Sequence, residues 1–168
     1  QRGVWEELGS VVPWWSVLSA PEFDGTSQLS EDKMRAFYAT GEHAIVKALV
    51  RTATIAKAHG TRAAWSGGGS GATAIDFGCG VGRLAQALAR RFTNVVCVDH
   101  STAHLTIAAK SITGREASRL HYVATSKAGF EIADARADFV LSLLSLQHMV
   151  PQVQVAVLEH LCDALNVG

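Results

Sequence analysis

Three closely spaced glycines separate a short apolar segment from an amphipathic one in the middle of the chain. Residues 72–77 predict a β-strand, Gly78, Gly80 and Gly82 predict a turn, and residues 82–92 predict a helix. A strand, a glycine turn and a helix in this order form the first unit of a doubly wound α/β sheet. Because glycine lacks a Cβ atom, the turn can adopt positive φ angles and let a ligand approach the backbone N–H groups at the helix start. The segment therefore predicts a ligand site at the first turn of such a sheet.

Strand and helix patterns continue to alternate after this turn. Residues 94–99, 120–124 and 138–143 predict further strands, and residues 102–112 predict the helix between the second and third strands. The inner side of the first core helix is expected to carry Leu84, Ala85, Leu88, Ala89 and Phe92, and the last helix to bury Val157, Leu158, Leu161, Cys162 and Leu165. The predicted fold is α/β, a Rossmann-like, doubly wound, mostly parallel sheet with strand order 3-2-1-4 and helices on both faces.

Composition narrows the class of partner. Apolar residues make up 48% of the 168 residues, which is typical of a globular chain, and the 15 basic and 15 acidic side chains balance. Without a basic run we predict no nucleic-acid or membrane partner and favour a small molecule. The odd number of cysteines (Cys79, Cys97, Cys162) shows no zinc-site spacing, so we expect no metal and a reducing, cytoplasmic location.

The spacing of the glycines favours one kind of ligand over another. The dinucleotide fingerprint requires glycine where this chain has Arg83, and Asp76 stands two residues before Gly78. A carboxylate there would repel a pyrophosphate and attract a ligand that carries an ammonium and a sulfonium group. A tight turn that binds nothing is the structural alternative.

The resulting pattern, Asp-x-Gly-x-Gly-x-Gly at residues 76–82, resembles the first motif of class I S-adenosylmethionine-dependent methyltransferases. The phrase Ser-Leu-Gln-His at residues 145–148, followed by Pro151, is similar to the family's segment after strand four. The resemblance implies S-adenosylmethionine as the cofactor. The residues expected to bind it are Asp76, Gly78, Cys79, Gly80, Gly82, Asp99, His100, Ser126, Ser142 and Leu143.

Five of these residues lie at or just after the ends of the three later strands. Asp99 lies 17 residues after Gly82, where a carboxylate can accept hydrogen bonds from both ribose hydroxyls; the alternative is a helix cap, which Ser101 can supply itself. In the family the loop after strand three usually offers an aspartate to the adenine. Here Thr125-Ser126-Lys127 stands in that place, and the Ser126 oxygen or a backbone carbonyl would have to substitute. Residues 142–146 are expected to line the methionine end of the cofactor.

The histidines have competing interpretations. His100 and His104 are four residues apart, as metal ligands on a helix can be, but no third ligand accompanies them, so we predict surface histidines. His148 is a candidate catalytic base, although a capping or packing role is the more common one for such a histidine.

Residues 1–66 predict a helical extension, and the Gly/Ser-rich residues 67–71 predict a linker to the core at residues 72–168. The N-terminal arm (residues 1–29) holds Trp5, Trp14 and Trp15 and is either a lid over the cofactor or a strap on the outer helices. A helix is expected from Ser30, interrupted at residues 37–42, with a second helix to about His59. Residues 13–18 and 37–42 are similar to the extension of bacterial small-molecule methyltransferases, which commonly closes over the cofactor.

The resemblance implies methyl transfer to a small-molecule acceptor by in-line displacement, which requires alignment rather than a catalytic triad. Nucleic-acid amino methylases carry Asp/Asn-Pro-Pro-Tyr/Phe after strand four, where this chain has Ser-Leu-Leu-Ser at residues 142–145. The alternatives are an NAD-dependent oxidoreductase and a non-catalytic cofactor-binding protein. The family fold has seven strands, so we expect the chain to be a fragment that ends before strands five to seven, with an unpaired strand edge and weak cofactor binding.

Overall fold

A computed structural model describes residues 2–24, 28–63, 71–125 and 136–166. The predicted linker therefore lies outside the described residues except for Gly71, and so does Ser126.

Four parallel strands form one sheet in the order β3-β2-β1-β4, which confirms the predicted topology. Asp76 on β1 lies opposite Cys97 of β2 and Leu141 of β4, so the carboxyl ends of these three strands meet at one edge. The strands are β1 (Thr73–Phe77), β2 (Asn94–Asp99), β3 (Leu120–Ala124) and β4 (Phe139–Leu141).

The strand β4 is shorter than its apolar sequence predicted. Pairing with β1 stops at Leu141. The backbone of Leu144 then takes a φ angle of 63°, in the left-handed region that residues other than glycine rarely adopt. A 3₁₀ turn at Leu146–His148 follows. This bend carries the chain across the carboxyl edge of the sheet instead of along it.

Seven helices are present in the described segments. They are α1 (Arg2–Val11), α2 (Pro13–Val17), α3 (Glu31–Ala58), α4 (Ala85–Ala89), α5 (Thr102–Ser111), α6 (Gly114–Ala117) and α7 (Pro151–Asp163). None of them has the length and apolar character needed to cross a membrane.

The helix α3 runs without a break for 28 residues, so the predicted interruption at residues 37–42 is wrong. Phe37 and Tyr38 are buried on its inner side, and Gly41 meets the glycine turn where a Cβ atom would lie 2.0 Å from the carbonyl oxygen of Arg83. The glycine is thus a contact point between two elements rather than a helix stop. Only the tertiary packing reveals this difference, because an interior glycine looks the same in either role.

Side chains of the sheet alternate between two cores. Ala74, Val95 and Cys97 belong to the larger core, which also receives α3, α4, α5 and the aromatic rings of the N-terminal arm. Ile75 and Phe77 point to the opposite face and pack with α7. All five apolar residues expected on the inner side of the first core helix are buried.

The last helix presents a narrower buried stripe than predicted. Val157 and Leu161, four residues apart, are buried against the sheet, whereas Leu158 is 46% exposed, Leu165 is 37% exposed and Cys162 is exposed. Leu158 and Cys162 each lie one position further around the helix than a buried neighbour, so they turn away from the sheet. The prediction that all five side chains are buried is wrong for these three.

Candidate functional site

A cavity of about 680 Å³ opens at the carboxyl edge of the sheet, between the ends of β1, β2 and β4. Its wall comes from the first half of the glycine turn at residues 78–82 (Gly78, Cys79 and Gly80), the end of β2 and the residues after it, the loop after β4 and the N-terminal arm. In a doubly wound sheet this edge is where the chain reverses its winding and where ligands bind. The cavity therefore lies where the sequence placed the ligand site.

The glycine turn is fixed to the end of β2 by its own amides. The N–H groups of Gly78 and Cys79 donate to the carbonyl of Val98 at 2.7 and 3.1 Å, and that of Gly80 donates to Oδ2 of Asp99 at 2.8 Å. These three amides are therefore hydrogen-bonded within the protein. What the turn gains is a rigid attachment to the neighbouring strand.

The glycines instead allow close approach of other side chains. A Cβ atom at Gly80, where φ is 52°, would lie 2.4 Å from Cγ2 of Val17 in the N-terminal arm. At Gly78 it would lie 2.0 Å from Oγ of Ser145 in the loop after β4. Gly82 faces α5 rather than the cavity, since its Cβ atom would meet Ile112 at 2.6 Å. Two walls of the cavity therefore rest directly on the turn.

Asp99 is the carboxylate of the cavity wall. Its side chain is 10% exposed, Oδ2 accepts the Gly80 N–H, and Oδ1 accepts the N–H of Ser101 at 2.9 Å. Each oxygen therefore keeps acceptor capacity for a ligand hydroxyl. Ser101 caps α5 with its own hydroxyl, which accepts from the His104 N–H at 3.3 Å, so Asp99 is not the capping residue.

Asp76 lies behind the cavity wall and is fully buried. Burial raises the pKa of this carboxyl to about 7; the nearby Asp99 also raises it, while the Arg83 guanidinium opposes the rise. Within the described residues neither of its oxygens has a hydrogen-bond partner of ordinary geometry. Asp76 can act on a ligand in the cavity through its charge but does not line the space.

Arg83 is a site residue that the sequence interpretation missed. It lines the cavity although it is only 5% exposed, and Nη1 donates to Oγ1 of Thr40 on α3 at 3.2 Å. Burial lowers the pKa of the guanidinium and the neighbouring Asp76 opposes this shift. The sequence showed Arg83 only as a departure from the dinucleotide fingerprint; its orientation depends on α3, which the sequence did not place here.

The two histidines of the predicted surface pair have different environments. His104 is 2% exposed, with Nδ1 2.8 Å from Oγ of Ser101 and Nε2 2.8 Å from Oγ of Ser16, so the surface prediction is wrong for it. The arm covers the start of α5 and makes His104 a core residue. His100 lines the cavity, half-buried, with its ring edge-on to that of Trp5.

The loop after β4 supplies the opposite wall. Leu143 and Leu144 expose 40% and 48% of their surface there, whereas Ser142 is outside the wall and its hydroxyl is buried without a partner in the described structure. His148 is exposed at the cavity, with its ring centroid 4.9 Å from that of Trp5. The candidate base therefore lies beside an aromatic residue of the arm.

The N-terminal arm lines a further side of the cavity and is attached to α5 through a carboxylate. Glu6 accepts hydrogen bonds from the N–H groups of Thr102 and Ala103, at 2.9 and 3.1 Å, and from the Thr102 hydroxyl at 2.6 Å. Both amides belong to the first turn of α5, where N–H groups have no partner within the helix and a negative charge is favoured. The part of the arm that faces the cavity includes Trp5, Leu8 and residues 15–19.

The sequence profile of the family described as "Methyltransferase domain" matches residues 74–168, more than half of the chain. The chain belongs to this methyltransferase family. The match begins inside β1 and includes every strand of the sheet, which confirms the resemblance seen in the glycine motif. No curated protein sequence matches the chain significantly.

Solved methyltransferase structures share the fold of this methyltransferase domain. Phosphoethanolamine N-methyltransferase 1 of Haemonchus contortus has a TM-score of 0.66 at 12% identity, covering 99% of this chain and 29% of that one. Magnesium protoporphyrin IX methyltransferase of Synechocystis has a TM-score of 0.61 at 19% identity, covering 98% of this chain and 66% of that one. The glycopeptide N-methyltransferase MtfA has a TM-score of 0.52 at 19% identity, covering 61% of this chain and 49% of that one. The chain thus spans between 29% and 66% of the length of these relatives.

The structure brings six of the ten predicted cofactor-binding residues of the methyltransferase domain to the cavity wall. They are Gly78, Cys79, Gly80, Asp99, His100 and Leu143. Asp76, Gly82 and Ser142 lie outside the wall, and Ser126 lies outside the described residues. Cofactor binding by these residues stays a prediction.

Proposed function

We propose that this chain holds the S-adenosylmethionine site of a methyltransferase that acts on a small-molecule acceptor. The observation that carries the proposal is Asp99, a carboxylate fixed at the end of β2 with acceptor capacity directed at a cavity of ligand size. It fits the paired ribose hydroxyls of an adenosine. Solved relatives with the same fold contain S-adenosylhomocysteine or S-adenosylmethionine by their own description.

The residues present fit this cofactor better than a dinucleotide. A pyrophosphate needs free N–H groups at the glycine turn, and those of Gly78, Cys79 and Gly80 are bonded to β2. In addition, the buried Asp76 lies behind the same turn, where its ionised form disfavours the double negative charge of a pyrophosphate. These contacts argue against the NAD-dependent alternative.

The reaction requires alignment more than side-chain chemistry. The bound cofactor supplies an activated methyl group on a sulfonium, and the protein has to hold the acceptor in line with it. We propose that residues 1–66 contribute the lid, because the described arm rests on Gly80 through Val17 and is attached to α5 through Glu6. The apolar side chains of the cavity wall suit a small organic acceptor.

His148 is our candidate for the base that accepts a proton from the acceptor. It is exposed at the cavity between Trp5 and Gln147, with Nε2 3.2 Å from the side-chain nitrogen of Gln147. Replacement His148→Gln should slow methyl transfer and leave the affinity for S-adenosylhomocysteine unchanged. An unchanged rate would remove His148 from the mechanism. Cytoplasmic location is part of the proposal, consistent with the free cysteines Cys79, Cys97 and Cys162.

Calorimetric titration with S-adenosylhomocysteine and, separately, with NAD tests the proposal. We expect binding of the first ligand only, and loss of about 1.5–3 kcal/mol of binding free energy in Asp99→Ala, the value of hydrogen bonds to a charged group. Asp32→Ala is the matched control, since Asp32 is an exposed carboxylate on α3. Binding of NAD alone, or equal affinity in Asp99→Ala and the wild type, would contradict the proposal.

A further inference from the structure

Large apolar side chains are exposed together at one part of the cavity. Trp15 of the arm is 38% exposed, and Leu143 and Leu144 after β4 are 40% and 48% exposed. Apolar side chains that lie together at a cavity, rather than singly over the surface, mark a binding site. We call the wall residues within 15–19 and 143–153 the apolar subsite; binding of the ribose by Asp99 does not account for it.

The two segments of the apolar subsite meet at the glycine turn. Val17 of the arm approaches Gly80, where an added Cβ atom would lie 2.4 Å from its Cγ2. Ser145 of the loop after β4 approaches Gly78, where the corresponding distance to Oγ is 2.0 Å. Because these two glycines are only two residues apart, the arm and the loop lie next to each other over the turn. A ligand bound there would contact both.

The apolar subsite carries no fixed charge. Within the described structure its wall comes from residues 15–19 and 143–153, and these include no Asp, Glu, Lys or Arg. The charged side chains of the cavity wall belong to other elements, Asp99 to the end of β2 and Arg83 to the contact with α3. A charged acceptor would lose water in the apolar subsite without gaining a partner, which is costly. The wall therefore favours an uncharged acceptor.

One group of the apolar subsite can accept a proton. His148 is exposed at the cavity, and the ring of Trp5 packs against it with centroids 4.9 Å apart and an angle of 67° between the planes. This contact orients the imidazole. An imidazole can accept the proton of a hydroxyl group as the oxygen reacts, and an uncharged hydroxyl needs no counter-ion. An alkylammonium would need one before it could bind.

We propose that the apolar subsite binds an uncharged aromatic acceptor that carries a hydroxyl group, a phenol. The inference rests on the proposed function and names the class of its acceptor. The exposed indole of Trp15 offers a flat apolar surface on which an aromatic ring can pack. On transfer the hydroxyl oxygen bonds to the methyl carbon while the carbon–sulfur bond breaks, leaving its electron pair on sulfur. The hydroxyl proton passes to the imidazole of His148.

Three probes with the same bicyclic ring separate the possible acceptors by charge. Near neutral pH 2-naphthol is uncharged, 2-naphthoate is an anion and 2-naphthylmethylamine is a cation. Each probe is titrated by calorimetry into the chain saturated with S-adenosylhomocysteine. We expect 2-naphthol to bind at least about tenfold more tightly than either ion, because the subsite does not compensate a charge.

Charge variants at Leu144 test whether the apolar subsite sets this order. Neither lysine nor glutamate is β-branched, so both can adopt the positive φ angle of this position. Relative to 2-naphthol, Leu144→Lys should gain at least about threefold in affinity for 2-naphthoate, and Leu144→Glu the same for 2-naphthylmethylamine. Leu158→Lys and Leu158→Glu are the matched controls, because Leu158 is 46% exposed on α7 but lies outside the cavity wall. They should keep the wild-type order.

A wild type that binds either ion as tightly as 2-naphthol would overturn the inference, and so would one that binds S-adenosylhomocysteine but none of the probes. Leu144 variants that keep the wild-type order would overturn it as well. The wild-type comparison needs no substitution, so it decides the question even if the Leu144 variants do not fold. Failure of the proposed function gives a different result, because the wild type would then not bind S-adenosylhomocysteine.

Discussion

Replacement of Gly41 by alanine tests the contact that joins α3 to the glycine turn. In an unconstrained helix interior this substitution stabilises, by about 0.5–1 kcal/mol, because alanine loses less conformational entropy than glycine. Here the added Cβ atom would lie 2.0 Å from the Arg83 carbonyl oxygen, which is backbone and cannot rotate away. The substitution is therefore predicted to have the opposite sign from its helix propensity.

The size of the effect follows from the two opposing contributions. Forcing an extra carbon into a packed interface typically costs about 1–3 kcal/mol. After the gain in helix propensity is subtracted, the range is roughly 0–2.5 kcal/mol. Because the 2.0 Å clash is with a backbone atom, we expect Gly41→Ala to lower the free energy of unfolding by an amount in the upper part of this range. Because the displaced atoms belong to Arg83, affinity for S-adenosylhomocysteine should fall too.

Urea denaturation followed by tryptophan fluorescence measures this difference, and an unchanged dependence on urea concentration shows that the same transition is observed. Gly3→Ala is the matched control: Gly3 lies in α1 with no atom within 4 Å of its added Cβ, so this variant should be as stable as the wild type or slightly more stable. If Gly41→Ala is as stable as Gly3→Ala, α3 does not pack on the turn as described.

Two further predictions concern buried or capping carboxylates. Hydrogen bonds from Thr102 lower the pKa of Glu6, so the attachment of the arm is present above about pH 4.5 and lost as pH falls through the lowered pKa. Glu6→Ala should therefore speed hydrogen exchange of the Thr102 and Ala103 amides, whereas the control Glu7→Ala should not. Equal protection of these amides in the two variants would refute the attachment. Burial raises the pKa of Asp76 from 3.8 to about 7, so its contribution to stability is full below pH 3.8 and lost as pH rises through 7. The unfolding free energy of Asp76→Asn relative to the wild type should therefore increase from pH 4 to pH 8, and a difference independent of pH would contradict the burial of this carboxyl.

The two central strands could be predicted because β1 and β2 are largely buried and are therefore encoded by nearly continuous apolar segments. The continuous apolar run at Asn94–Asp99 and the glycine motif at residues 76–82 depend on local sequence alone, and both were placed correctly. The interruption of α3 was mispredicted since Gly41 has a tertiary reason for being glycine. Local pattern cannot show which distant element a glycine faces.

In the candidate site, too, some residues could be found from local sequence and others depend on tertiary contacts. Asp99 was found from its distance to the turn, and it lies at the cavity wall. Arg83 was missed because its role depends on Thr40, which is 43 residues away in the chain. His104 was mispredicted as exposed for a similar reason, since Ser16 and the arm cover it. Residues whose environment comes from the helical extension could not be assigned from the core motif.

A crystal structure of the chain with S-adenosylhomocysteine tests the central claim most directly. The account predicts that the ribose hydroxyls lie within about 3.2 Å of the Asp99 carboxylate and that the ligand fills the cavity beside the glycine turn. A ligand bound elsewhere, or a ribose turned away from Asp99 within the cavity, would contradict it.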